Sequence, residues 1–137
     1  MVQANLGAQA NPDPARASYA HLIDAFGRAW ESGRPAAIAE VFTLDGALVP
    51  SPFDLPIRGR AAIEEYWRDV PKEQAEISFR FGEIFIAGPW FATEFKCSYR
   101  RIKTGAWIEV SGALFCETVV EKITEMRMYW DRSRQAR

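Results

Sequence analysis

Histidine and cysteine are scarce in this chain: His21 stands alone, and Cys97 and Cys116 are its two thiols. One His excludes a His-rich metal site and a pair of catalytic histidines. Two Cys do not make a disulfide framework. Long apolar runs are also missing, and none approaches the ~18 residues of a membrane helix. Neither sign of charge dominates, with 17 basic and 18 acidic residues and a net charge of −1. Nothing here gives the electrostatic footprint of nucleic-acid binding. Ala8-Gln9-Ala10 resembles a signal-peptidase site, but no basic or apolar segment precedes it, so a cytoplasmic protein is expected.

What is present is aromatic and apolar. The chain has 137 residues, 48% hydrophobic and 26% charged, enough for one domain with a real core. Residues 1–14 are rich in Gln, Asn, Pro and small side chains and are expected to form a flexible tail. The single domain then runs over 15–137. Residues 15–32 form the clearest helix, with Tyr19, Leu22, Ile23, Phe26 and Trp30 in one stripe. Asp13 and Pro14 suit its start and Gly33 its end. Pro35 opens a short second helix over 35–42. A short strand over 44–50 leads into a Pro-rich loop, 51–60, and a third helix over 61–70 that Pro71 should end.

Strands fill the remainder. Residues 77–87 alternate, then shift phase near Gly82, which suggests a bulge and a bent sheet. Residues 90–102 place Phe91, Thr93, Phe95, Cys97 and Tyr99 in one row. Residues 107–118 offer two rows. Trp107, Glu109, Ser111, Ala113 and Phe115 are expected to face the helices. Ile108, Val110 and Leu114 are expected to lie uncovered as a homodimer surface. The last strand, 122–132, carries Met126, Met128 and Trp130 in its apolar row, side chains that line a pocket as readily as they fill a core. Three helices followed by a meander make an α+β domain, with helices on one face of a bent, mostly antiparallel sheet.

Three stretches resemble one family. The segment Glu31-Ser32-Gly33-Arg34-Pro35-Ala36-Ala37-Ile38-Ala39-Glu40-Val41-Phe42 is similar to the helix break of the NTF2-like superfamily. Pro56-Ile57-Arg58-Gly59-Arg60-Ala61-Ala62-Ile63 is similar to its loop into the third helix. Glu121-Lys122-Ile123-Thr124-Glu125 with Tyr129-Trp130-Asp131 resembles its final hairpin and strand. The resemblance spans roughly 17–132 and is nearest to the SnoaL-like branch, which includes polyketide cyclases and neighbours the ketosteroid isomerases. It implies an NTF2-like cone with a pocket inside.

The fold is shared by many chemistries, so residues must be compared singly. Ketosteroid isomerases place a catalytic Tyr where this chain has Phe26, and their general-base Asp where it has Pro50. Their protonated Asp aligns with Ala113 and a supporting Tyr with Trp67. The limonene-epoxide-hydrolase-like branch has its Arg and two Asp at Phe95, Cys97 and Met128. Scytalone-dehydratase-like chemistry needs two cavity His residues. The resemblance thus implies the fold without the catalytic groups of these relatives.

The resulting pocket reading joins Phe26, Trp30, Pro50, Trp67, Phe95, Cys97, Ala113, Met128 and Trp130 in an apolar aromatic cup. Such a cup suits a small hydrophobic ligand, polycyclic or aromatic, held mainly by burial. Glu109, Tyr99 and Asp54 are the candidate acid–base groups if the protein is instead an isomerase, cyclase or hydrolase. A third reading is a protein-interaction module acting through the sheet face. No metal and no cofactor are expected.

Overall fold

The computed structural model describes residues 13–135. The expected tail lies outside them except for Asp13 and Pro14, which belong to the first helix. Helix α1 (Pro14–Ser32) starts where the Asp13 carboxylate accepts from the Ala15 N–H at 2.8 Å. It ends where Gly33, at φ +68°, donates its N–H to Trp30 O, a left-handed position that favours glycine. Pro35 opens α2 (Pro35–Glu40). Strands β1 (Phe42–Val49) and β2 (Ile57–Arg58) follow, then α3 (Arg60–Tyr66) and the single turn α4 (Val70–Glu73). The third helix therefore stops earlier than its sequence suggests. Pro71 opens α4 rather than ending α3, in keeping with proline's fit to the first helical turn.

Strands β3 (Gln74–Phe81), β4 (Phe85–Ala87), β5 (Trp90–Arg101), β6 (Trp107–Val119) and β7 (Lys122–Gln135) complete the domain. The sheet order is β2-β1-β7-β6-β5-β3, with β4 also on β5. Among the described residues only β1 with β7 runs parallel; the other pairs are antiparallel. The phase shift near Gly82 is the break between β3 and β4, both paired to β5. This is an α+β fold, with helices packed on a bent, unclosed sheet. Among the described residues no helix is long and apolar enough to cross a membrane.

Helix α1 crosses close over β3. A Cβ on Gly27 would lie 2.2 Å from the Phe79 ring, so glycine is what permits the approach. Arg28 and Glu31 of α1 then satisfy the edge of β3: Arg28 donates to Phe79 O at 3.0 Å, and the Phe79 N–H donates to Glu31 at 2.8 Å. An edge strand closed in this way offers less for another chain to pair with.

The two rows of β6 lie opposite to the expectation. Ile108, Val110, Leu114 and Cys116 are buried under the helices, while Ser111 and Phe115 are exposed. Both rows carry apolar residues, so periodicity alone does not choose between them. Register does: Tyr99 pairs with Ile108, Cys97 with Val110 and Thr93 with Leu114. Directly paired residues share a face, and the β5 row of Thr93, Cys97 and Tyr99 is buried. Ile108, Val110 and Leu114 are therefore core, not a free dimer surface.

Candidate functional site

A cavity of about 290 Å³ opens where the C-terminal part of α1, the α3–α4 region and the inner sheet face meet. Its apolar wall is Trp30, Trp67, Val70, Val110 and Met128. Tyr66, Tyr99, Trp130, Asp69, Glu73, Gln74 and Arg132 supply its polar part. The walls are fixed from behind. Phe26 is fully buried and meets both Trp30 and Trp67 edge-on, at ring separations of 6.0 and 5.9 Å. Trp30 Nε1 donates to Gln74 at 3.0 Å, and Trp130 Nε1 donates to the Pro50 carbonyl at 2.5 Å. Each bond satisfies a ring that would otherwise bury a bare donor. Trp67 Nε1 is different: it is buried and has no hydrogen-bond partner among the described residues.

Of the nine residues read from sequence as pocket lining, Trp30, Trp67, Met128 and Trp130 line this cavity. Phe26 lies one layer below, and Pro50 holds Trp130 through its carbonyl. Phe95 and Cys97 are packed in the core. Ala113 faces the other side of the sheet, lining a shallow outer groove with Lys96 and Tyr129, because the β6 rows are inverted relative to the expectation.

The three candidate acid–base residues separate. Glu109 is on the outer face, paired with Lys96 Nζ at 2.8 Å, and so does not reach the cavity. Tyr99 is buried and lines the cavity, and no hydrogen bond to its hydroxyl from a described residue is present. Asp54 sits in the exposed β1–β2 loop and accepts from Ser51 Oγ at 3.0 Å. Its carboxylate is near enough to act on Tyr66 at the cavity rim. Burial raises the Tyr66 phenol above its ordinary value, the Asp54 charge adds to the rise, and Arg132 opposes it.

Sequence reasoning missed Arg132. Its signal was present, because the row Met126, Met128, Trp130 continues at a period of two to Arg132. Arg132 pairs across the sheet with the buried Val110, which places it on the inner face. Its guanidinium lies over the Trp130 ring, 5.6 Å from the centroid.

The cysteines contribute no nucleophile. Burial pushes both thiols well above their ordinary value, and the Glu31 charge adds to the effect at Cys97. Both are fully buried. Neither is expected to react with a thiol reagent in the native protein, and both should react once it is unfolded in urea. Rapid native labelling of either would show that the core opens locally.

The fold has close structural counterparts. One is a Catenulispora acidiphila protein with a ketosteroid isomerase-like fold, solved in complex with trimethylamine. It is 20% identical, superposes with a TM-score of 0.70, and the match covers 79% of this chain and 83% of that one. Another is SalBIII, an epoxide hydrolase/cyclase-like enzyme of pyran ring formation in the polyether salinomycin. It is 21% identical, with a TM-score of 0.71 and coverage of 84% and 94%. No curated protein matches the chain by sequence. The profile of the SnoaL-like domain matches residues 23–126, from the middle of α1 to the inner row of β7. The chain belongs to the SnoaL-like domain family.

Proposed function

We propose that the protein binds a small hydrophobic ligand in the cavity between α1, α3–α4 and β7. The observation that carries this reading is a space of about 290 Å³ walled by Trp30, Trp67, Val110 and Met128. Its volume is about twice that of the roughly 150 Å³ apolar cavity known to hold one benzene. A body of one or two rings fits it best. Burial of such a body supplies the affinity, at about 25 cal/mol per Å² removed from water.

A catalytic reading as an isomerase, cyclase or hydrolase keeps two of its three residues. Tyr99 supplies a hydroxyl free to donate to a ligand carbonyl, and Asp54 supplies a carboxylate beside the rim. Glu109 takes no part, being held on the outer face by Lys96. We assign self-association as a homodimer, or docking of another protein, to that outer face, where Phe115 and Tyr129 remain exposed and meet edge-on at 5.5 Å.

Tryptophan fluorescence tests the binding reading, because Trp30, Trp67 and Trp130 all touch the cavity. One- and two-ring aromatics such as 1-naphthol should quench saturably, and long-chain fatty acids should not. Absence of quenching by every class would remove the ligand-binding reading.

A further inference from the structure

Beside the apolar cavity lies a second cleft of about 470 Å³, lined by Lys72, Glu73, Gln74, Tyr99, Arg101, Lys103, Thr104 and Arg132. Four of these residues, Glu73, Gln74, Tyr99 and Arg132, line both spaces, so the two are contiguous. The cleft holds four cations against one carboxylate, in a chain whose net charge is −1. The cations come from separate elements: Lys72 from α4, Arg101 from the end of β5, Lys103 from the β5–β6 turn and Arg132 from β7. Among the described residues outside the cleft, Arg28, Arg68, Lys96, Arg100 and Arg127 are ion-paired, and Arg16, Arg60 and Lys122 donate to backbone carbonyls. None of Lys72, Arg101, Lys103 or Arg132 has an ion-pair partner among the described residues. Gathering four cations around a single carboxylate costs free energy, which a bound anion recovers.

We infer that the ligand has two parts: a one- or two-ring apolar body in the aromatic cavity and a phosphate or diphosphate ester head in the adjoining basic cleft. This rests on the binding reading above and adds the chemical class of the head. A surplus of three positive charges suits a head bearing two or more negative charges better than a lone carboxylate. Two of the four cations are arginines, whose planar fork matches phosphate oxygens. Tyr99, buried on the boundary with its hydroxyl unengaged by described residues, is placed to donate to the oxygen that joins body and head. Arg132 bridges the two parts, its guanidinium lying over the Trp130 ring.

The test compares 1-naphthyl phosphate with 1-naphthol by tryptophan quenching, at low and at high salt. The phosphate ester is expected to bind at least about tenfold more tightly at low salt, and the advantage should shrink as salt screens the head. Lys72→Glu and Lys103→Glu, both exposed positions, should remove most of the advantage and leave 1-naphthol unchanged. Arg58→Glu, on the opposite edge strand of the sheet, should leave it intact. If 1-naphthol binds and the phosphate adds nothing, the basic cleft is not a head site and the inference fails while the cavity reading stands. If neither binds, the cavity reading itself fails. Inorganic phosphate competing as strongly as the naphthyl ester would overturn the two-part ligand. Capture by phosphatidylglycerol vesicles without a gain for the soluble ester would overturn it in favour of a lipid surface.

Discussion

Gly112→Ala is expected to cost about 3 kcal/mol or more, the upper end of what one added methyl does in a packed interior. A Cβ at Gly112 would lie 1.8 Å from Tyr129 O and 2.7 Å from the Trp130 Cα. Both obstacles are backbone, so no side-chain rotation relieves them. Gly112 pairs with Trp130 across the β6–β7 ladder and with Phe95 across β5–β6. Making room therefore means separating the two longest strands of the sheet at that point. Trp130 would move with them, and the cavity rim with Trp130. Urea unfolding of the purified variant checks the prediction. Ser111→Ala, next along the strand and exposed, is the comparator and should stay within about 0.5 kcal/mol of the parent. Equal stability of the two variants would mean that β6 and β7 do not approach as closely as they do here.

Phe26→Ala should cost about 4 kcal/mol. Phe26 has no exposed surface and stands at the centre of an aromatic cluster, edge-on to Trp30, Trp67 and Phe79. Removing its ring takes away transfer free energy and leaves a hole that three large rings cannot fill without tilting. Two of those rings are cavity walls, so ligand quenching should weaken along with stability. Phe26→Leu, which keeps most of the volume, should cost less than about 1.5 kcal/mol. A small loss in Phe26→Ala would show that the cluster is loosely packed and that the cavity does not depend on it.

The helices and the bend were legible in the sequence for local reasons. The α1 stripe repeats at helical spacing, Asp13 and Gly33 close its ends, and Gly82 marks the β3–β4 break. The face of β6 was not legible, because Trp107 and Phe115 in one row compete with Ile108, Val110 and Leu114 in the other. Only the pairing of Cys97 with Val110 decides between them, and pairing is a long-range fact. That single inversion moved Glu109 and Ala113 out of the candidate site. Arg132 was legible by extending the Met126–Met128–Trp130 row by one step. The basic cleft was not, since Lys72, Arg101, Lys103 and Arg132 are spread over half the chain and meet only in the fold. The backbone at Val120 and Glu121 was equally hidden. Both have positive φ, without the Asn-Gly that such a two-residue hairpin favours.

A titration of 1-naphthol against the wild-type chain and Val110→Phe separates a ligand-holding cavity from a filled core. Val110 is buried in β6 and lines the cavity, so a ring at that position occupies the space the ligand needs. Saturable quenching in the wild type, lost in a Val110→Phe protein that still unfolds cooperatively, is the expected outcome. Equal quenching in both proteins, or none in the wild type, would contradict a binding cavity between α1, α3–α4 and β7.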